Sequence, residues 1–348
     1  MLIDLQLKNF RCFESLSVQF SPAFNFFIGA NGEGKSSLLE AACVLLRLQS
    51  QRAPTLAPLV SVGAKSFELA GHFDGHLMEL RYGGLRRKLR FDQMEQRIAT
   101  EYLRVARVVS FANIDVEMVR GGSDARRRYL DFVGSQIDPV YRPTLRAYER
   151  SLRSRNALLK AAQPRMREVA AYDPPLIAHG TQLAAMRAKM VERLAPFVAA
   201  AYAEISNSKE DIAICFSPGN ENDFAADLAG SREKEIRLRQ TVVGPHRDDV
   251  DLSVNEMTAQ SYASEGQQRT LALALKIAQA RMFAEEGGPP LLLIDDIFGE
   301  LDLDRRHALL ACLPDDSQKF VTATARQWGE EFGDSITFTL QDRQLQRG

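Results

Sequence analysis

Asn25-Phe26-Phe27-Ile28-Gly29-Ala30-Asn31-Gly32-Glu33-Gly34-Lys35-Ser36-Ser37-Leu38-Leu39 is the stretch that decides the fold. Phe26-Phe27-Ile28 is an apolar run of strand length. Gly29 to Ser36 fits G-x-x-x-x-G-K-[ST]. Ser37-Leu38-Leu39-Glu40-Ala41-Ala42 continues as good helix-forming sequence. Each part has a physical task. Glycines let backbone N–H groups turn inward around a polyphosphate without Cβ collisions. The helix N-terminus adds unpaired donors and partial positive charge. The ammonium of Lys35 can reach β- and γ-phosphates, and the Ser36 hydroxyl can ligate Mg²⁺. Gly29, Ala30, Asn31, Gly32, Glu33, Gly34, Lys35, Ser36 and Ser37 are therefore the candidate nucleotide contacts.

The chain has 348 residues, enough for a large core and more than one lobe. Lys+Arg 44 against Asp+Glu 45 leaves a net charge of −1, so overall charge announces no nucleic-acid partner. The cations are nonetheless clustered. Arg81, Arg86, Arg87, Lys88 and Arg90 form one group, and Arg142, Arg146, Arg150, Arg153 and Arg155 another. Cys12, Cys43, Cys215 and Cys312 lie far apart with no C-x-x-C, which suits free thiols in a reducing compartment. No apolar run approaches membrane-spanning length, and the N-terminus lacks the basic-then-apolar layout of a signal peptide. The expectation is a cytoplasmic protein with no membrane partner.

Leu2 to Val18 and residues 67–100 alternate apolar and polar residues between turn glycines, and predict strands; so does the β-rich run Leu103 to Phe111. After Asp115 the pattern changes. Tyr141, Leu145, Tyr148, Leu152 and Leu159 form one heptad-like stripe, and Leu176, Leu183, Met186, Met190, Leu194, Phe197 and Ala201 another. They predict two antiparallel helices, either a short arm kinked at Pro196 or a core pair within a lobe. From Thr241 strands and helices return. The expected organisation is 1–115 as the N-terminal part of an ATPase head, 116–236 as an inserted helical lobe, and 237–348 as the C-terminal part of the head.

The last segment carries a second set of polar residues. Leu291 to Ile294 is a buried strand ending in Asp295 and Asp296. With a phosphate loop in the same chain, Asp295 is the expected second Mg²⁺ ligand beside Ser36. Asp296 is the candidate to polarise an attacking water, with Glu300 of Gly299-Glu300-Leu301-Asp302 the alternative catalytic carboxylate. Ser264, Gly266 and Gln267 precede another helix and can form a second anion site, although Ser264 and Gln267 also fit a capping box. A loop for one end of ATP and a separate γ-phosphate contact suggest two copies closing head-to-tail around two ATPs.

The order of loop, helical insertion, S-x-G-Q, apolar-D-D and E-L-D is similar to ABC-type ATPase heads of the SMC-like group. More narrowly, the chain resembles the RecF family over nearly its whole length. The residues that carry this are Leu7 to Arg11, Gly29 to Ser37, Gly121 with Arg126 to Asp131, Arg155 to Lys160, Gly244-Pro245-His246-Arg247-Asp248-Asp249, Tyr262 to Leu275 and Leu293 to Asp302. The resemblance implies an α/β fold, an ABC-type ATPase head with a mixed sheet plus a helical lobe. It further implies a weak ATPase that binds ATP and Mg²⁺, forms an ATP-dependent homodimer on DNA and works with RecO and RecR to load RecA at gaps. Two positions depart from the family pattern. Asn113-Ile114 replaces a Pro-Glu element, and Glu265 adds negative charge beside the second anion site. Thr322-Ala323-Thr324 has no switch histidine, so γ-phosphate sensing falls to threonine or backbone.

Other readings stay open. A transporter's ATPase subunit would carry L-S-G-G-Q and a switch histidine, and a small-molecule kinase needs no S-x-G-Q element. Arg127 is expected to pair with Asp131 at i,i+4. His246 and Arg247 are candidates for the dimer surface, with no mechanism legible from the residues alone.

Overall fold

The computed structural model describes residues 1–301, 303–324 and 335–347, with the side chains of 300, 303 and 304 outside the description. The chain divides into two units. The first comprises Met1–Ile114 and Gln279–Gly348, and the second Asp115–Ala278.

Two sheets build the first unit. One is antiparallel: β1 (Asp4–Phe10), β2 (Phe13–Gln19), β4 (Ser66–Phe73), β5 (His76–Gly83), β6 (Arg86–Phe91) and β7 (Met94–Glu95) order as β2-β1-β4-β5-β6-β7 among the described residues. The other is mixed. It contains β3 (Phe24–Ile28), β8 (Val108–Ala112), β12 (Leu291–Asp295), β13 (Lys319–Ala323), β14 (Ser335–Gln341) and β15 (Gln344–Arg347), in the order β15-β14-β3-β13-β12-β8. All pairs in it are parallel except β14 with β15. Apolar runs without alternation, such as Leu291-Leu292-Leu293-Ile294, suit such strands because both faces are covered.

The helix Lys35–Arg47 contacts strands of both sheets, and this explains its composition. It is apolar nearly all round, as a helix enclosed on all sides must be. Its charges are answered internally. Glu40, with its side chain 2% exposed, accepts two hydrogen bonds from Arg11 at 2.8 and 2.9 Å. Arg47 is buried and donates to the carbonyls of Leu103 and Ala106, both at 2.7 Å. The stretch from Leu103 begins as helix, Thr100–Arg104, and not as strand. Tyr102 turns inward there and donates from its hydroxyl to the Leu45 carbonyl, and the strand starts only at Val108.

In the second unit, the helices Tyr141–Leu159 and Asp173–Ser206 pack antiparallel, with Thr144 against Gln182 and Arg155 against Asp173. Their stripes meet as expected: Tyr141, Tyr148, Leu176 and Leu183 are buried, and Leu145, Leu152 and Met186 pack on them. Phe224 and Leu228 of the helix Phe224–Gly230 join this cluster, so the pair has a third partner. A small antiparallel sheet of β9 (Ile212–Ser217), β10 (Asp249–Val254) and β11 (Met257–Thr258) packs on the helices Asp173–Ser206 and Ser123–Ile137. This differs from the boundary expected at 236/237. The strands that follow it complete the core of the helical lobe, and the division falls within the helix Glu265–Gly287.

Candidate functional site

β3 ends at Ile28 and the loop Gly29–Gly34 leads into the helix at Lys35. Gly32 and Gly34 stand at φ 88° and 110°, a region that side chains other than glycine rarely adopt. Packing adds a second demand at Gly34. A Cβ there would lie 2.7 Å from both the Cys12 Sγ and the Phe13 ring. Gly29 is fixed by close approach alone, since a Cβ would sit 2.5 Å from the Leu340 carbonyl oxygen of β14. The helix opens without a side-chain cap and with no acidic residue in its first turn, so its N–H groups are left for an anion.

Lys35 is buried and folds back over its own loop, donating from Nζ to the carbonyls of Gly29 at 2.6 Å and Ala30 at 2.9 Å. Burial lowers its pKa below the ordinary lysine value, and the carboxylates of Asp296, Asp295 and Glu33 restore only part of the difference. Its ammonium is thus a desolvated cation held by neutral acceptors, a state that an incoming phosphate would improve.

Three segments converge on one carboxylate oxygen. Asp295 Oδ1 accepts from the Ser36 hydroxyl at 2.7 Å and from the Thr322 hydroxyl at 2.9 Å. The Thr322 oxygen also accepts from the Asp296 N–H at 2.9 Å. β3, β12 and β13 are parallel strands, β13 lying between the other two, so their C-terminal ends deliver these groups to one edge. Asp296, the first residue past β12, has φ 54°, and Asn113 Nδ2 reaches its carbonyl at 3.4 Å. A non-glycine residue held in the left-handed region marks a position where the surroundings override local preference. The Glu300 side chain and Asp302 lie outside the described residues. Ser36 and Asp295 offer converging hard oxygen donors, which fit Mg²⁺; such an ion takes its remaining ligands from phosphate and water. Among the described residues there is no cluster of three or more His, Cys, Asp or Glu placed to hold a metal by itself.

In the second unit Ser264 and Gln267 form a reciprocal capping box. The Gln267 N–H donates to Ser264 Oγ at 3.3 Å, and the Ser264 N–H to Gln267 Oε1 at 2.7 Å. Gln267 Nε2 is anchored on Glu210, while Ser264 itself is exposed.

Comparison with known proteins decides the family. A family model described as RecF/RecN/SMC N terminal domain matches residues 1–346. The chain is 37% identical to the DNA replication and repair protein RecF of Symbiobacterium thermophilum, covering 94% of each chain. It is 35% identical to that of a Synechococcus species, covering 93% of this chain and 91% of the other. The chain belongs to the RecF family. Among solved structures, one described as the recombination mediator protein RecF-ATP in the RecFOR pathway superposes with TM-score 0.91 at 28% identity, over 99% of this chain and 97% of the other. An Smc head bound to the C-winged helix domain of ScpA matches at TM-score 0.56 and 15% identity, over 100% of this chain and 97% of the other, a likeness of fold alone.

The segments that carried the RecF resemblance divide by role. In Gly244–Asp249, His246 is tied down: Thr241 O lies 3.0 Å from its Nε2 and the Tyr148 hydroxyl 2.7 Å from Nδ1. A carbonyl only accepts, so Nε2 carries the proton and Nδ1 accepts from Tyr148. Burial pushes the His246 pKa down to about 4, keeping it neutral. Asp248 is fully buried and accepts from Arg187 at 2.9 Å and from the Gly219 N–H at 2.8 Å. Arg187 also donates to Asp131 at 2.8 Å, which accepts from the Tyr141 hydroxyl at 2.6 Å. The expected Arg127–Asp131 pair therefore does not form. Asp131 is claimed by Arg187 and Tyr141, and Arg127 donates to the Asp248 carbonyl at 2.8 Å. Arg126 holds Asp249 in a two-pronged pair at 2.6 and 2.9 Å, and Arg155 holds Glu235 at 2.8 and 2.7 Å. Arg126 and Arg155 are buried structural ions, and the neutral His246 ring is likewise structural; Arg247 is the exposed member of its segment.

Both departures from the RecF pattern are accommodated. Asn113 keeps a polar contact to the Asp296 backbone, and Arg269 pairs with Glu265 at 2.9 Å, offsetting its charge. Of the basic clusters, Arg86, Lys88 and Arg90 alternate along one face of β6 and are exposed, opposite the buried Leu89. Lys88 faces Arg81 and Arg81 faces Glu68 across the strands, and Arg81–Glu68 is a 3.3 Å pair. Arg146, Arg150 and Arg153 lie exposed on one side of the helix Tyr141–Leu159, away from its apolar stripe. Sequence reasoning missed the internal pair Arg11–Glu40 and the last hairpin, β14–β15. The alternation of Ser335–Gln341 and the Asp342-Arg343 turn were the available signals.

Proposed function

We propose that this chain is a RecF-type DNA-binding ATPase: it binds ATP with Mg²⁺, pairs with a second copy around the nucleotide, and acts on DNA in recombinational repair together with RecO and RecR. The observation that carries the reading is the meeting of Lys35, Ser36, Asp295 and Thr322 at the strand ends beside an uncapped helix N-terminus. Family membership supports it, and related structures are described as RecF-ATP and RecF-ATPrS.

In this reading the loop N–H groups and the helix N-terminus take the phosphates, and Lys35 leaves its carbonyl acceptors for the β- and γ-phosphates. Ser36 and Asp295 would hold Mg²⁺, which supplies charge neutralisation at the phosphates. Asp296 orients and polarises the attacking water, Glu300 being the alternative. Thr322, bonded to the Asp295 carboxylate and to the Asp296 N–H, ties the end of β12 to β13 and is the candidate for the switch role. Ser264, Gly266 and Gln267 contact the γ-phosphate held by the other copy. The exposed rows Arg86/Lys88/Arg90 and Arg146/Arg150/Arg153 are the candidate duplex contacts. Arginine's fork suits phosphate oxygens, so binding is sequence-independent.

The test is DNA binding with and without ATP on blunt duplex, single strand and gapped duplex, at two salt concentrations. Binding that requires ATP and weakens steeply with salt supports the reading. ATP-independent binding, or none on any substrate, would overturn it.

A further inference from the structure

An open cleft of about 960 Å³ lies beside the phosphate loop in the first unit. Asn9, Arg11, Ser37, Ser61 and Arg343 are among its lining residues. In a loop of this type the Lys and first Ser serve the β- and γ-phosphates and the metal. A cleft that begins at Ser37 therefore opens on the side where the α-phosphate and nucleoside lie, and it is roomy enough to admit them.

Two guanidinium groups line the cleft, and they are not equivalent. Arg11 is committed to the buried Glu40 through two hydrogen bonds at 2.8 and 2.9 Å, so its charge is matched within the fold. Arg343 is exposed, and its guanidinium meets no acceptor among the described residues. Its position is nonetheless fixed. It sits in the tight turn of the β14–β15 hairpin, with Asp342 and Arg343 at φ 51° and 61° and Gln341 facing Gln344. Its backbone N–H donates to Glu33 Oε2 at 3.2 Å, a side chain of the phosphate loop. The same hairpin presses on the loop's first residue, where only a glycine clears the Leu340 carbonyl. The fold thus holds a guanidinium that forms no ion pair among the described residues on the lining of a cleft beside the phosphate loop, with Glu33 at its backbone and Glu14 on the same lining.

We propose that Arg343 is a nucleotide-binding residue, contacting the α-phosphate end of the nucleotide held by the phosphate loop of its own chain. This rests on the ATP reading above. The test is calorimetric titration of ATP and of ADP into the full chain and into Arg343→Gln, Arg343→Lys and Lys35→Met. Removing one charge-assisted hydrogen bond to phosphate should weaken ATP and ADP equally, by roughly tenfold, in Arg343→Gln. Arg343→Lys should recover part of that affinity, because the charge returns without the fork. Both variants should unfold at the wild-type temperature without nucleotide, since the side chain is exposed. Unchanged ATP and ADP affinities in Arg343→Gln, with binding weakened by roughly 100-fold or more in Lys35→Met, would overturn the role of Arg343 and leave the ATP reading standing. Weakening of ATP but not ADP would overturn it too, placing Arg343 at the γ-phosphate. Unchanged binding in Lys35→Met would overturn the ATP reading itself.

Discussion

Replacing Lys35 by Met separates binding from folding, and its two effects should have different sizes. Lys35 is 6% exposed and donates to two carbonyls of its own loop, at 2.6 and 2.9 Å. Those bonds favour the folded apo protein, but the buried ammonium disfavours it, which is why its pKa is lowered. Met fills a similar volume without the charge, and Ala30 is exposed enough for water to take over its carbonyl. The two effects oppose, so apo stability should stay within about 1 kcal/mol of wild type. The sign with pH follows from the same fact. A lysine whose folded pKa is below its unfolded value binds its proton less tightly when folded. Wild-type stability should therefore rise relative to the variant as pH climbs toward the ordinary lysine value. Nucleotide binding has no such offset. Two charge-assisted bonds to phosphate at about 1.5–3 kcal/mol each amount to roughly a 10²–10⁴-fold drop in affinity. At ATP about 100 times the wild-type Kd, ligand stabilises wild type by about 2.7 kcal/mol; a 100-fold weaker variant gains about 0.4 kcal/mol. Thermal unfolding with and without ATP reads both quantities. An ATP-induced shift equal to wild type, or an apo variant destabilised by several kcal/mol, would refute the reasoning.

Asp296→Asn should leave ATP binding near wild type and slow hydrolysis by roughly 10²-fold or more, checked by calorimetry and single-turnover assay; wild-type turnover would move the role to Glu300. His246, held neutral with a pKa pushed down to about 4, contributes stability that is present above its unfolded value near 6.5 and declines as pH falls toward 4. Replacing it with Gln should flatten that part of the pH–stability curve, measured by urea unfolding. Arg155→Met should destabilise the chain by about 3–5 kcal/mol, because the buried Glu235 loses its two-pronged partner and keeps only the 3.7 Å contact with Arg232, and Arg155→Met/Glu235→Gln should recover much of that; equal stability of the two variants in urea would count against it.

The parts legible in the sequence share a local origin. The loop Gly29–Ser36 is read from spacing, the two helical stripes from periodicity, and Leu291–Asp295 from an unbroken apolar run, because in each case the deciding neighbours are near in sequence. What stayed hidden depends on distant partners. Arg155 belongs to a basic cluster in sequence, yet Glu235 and Asp173 claim it in the core. Asp131 is placed at i,i+4 from Arg127, but Arg187, far along the chain, offers a better-buried donor. Leu103 lies in a β-rich run, and the inward turn of Tyr102 toward Leu45 makes its backbone helical. Thr322's part at the candidate site emerges only once β13 is placed beside β12. Arg343 joins the phosphate loop through β14, which nothing local ties to β3.

The most direct test of an ATP-closed pair of copies is molar mass by light scattering, with and without ATP, for wild type and Ser264→Arg. Ser264 is exposed at a helix start in the second unit, so Arg there should leave the fold and the chain's own ATP affinity intact. ATP should double the mass of wild type and leave Ser264→Arg a monomer that still binds ATP. A wild-type mass that ATP does not change, or a Ser264→Arg variant that still doubles with ATP, would contradict the closed pair.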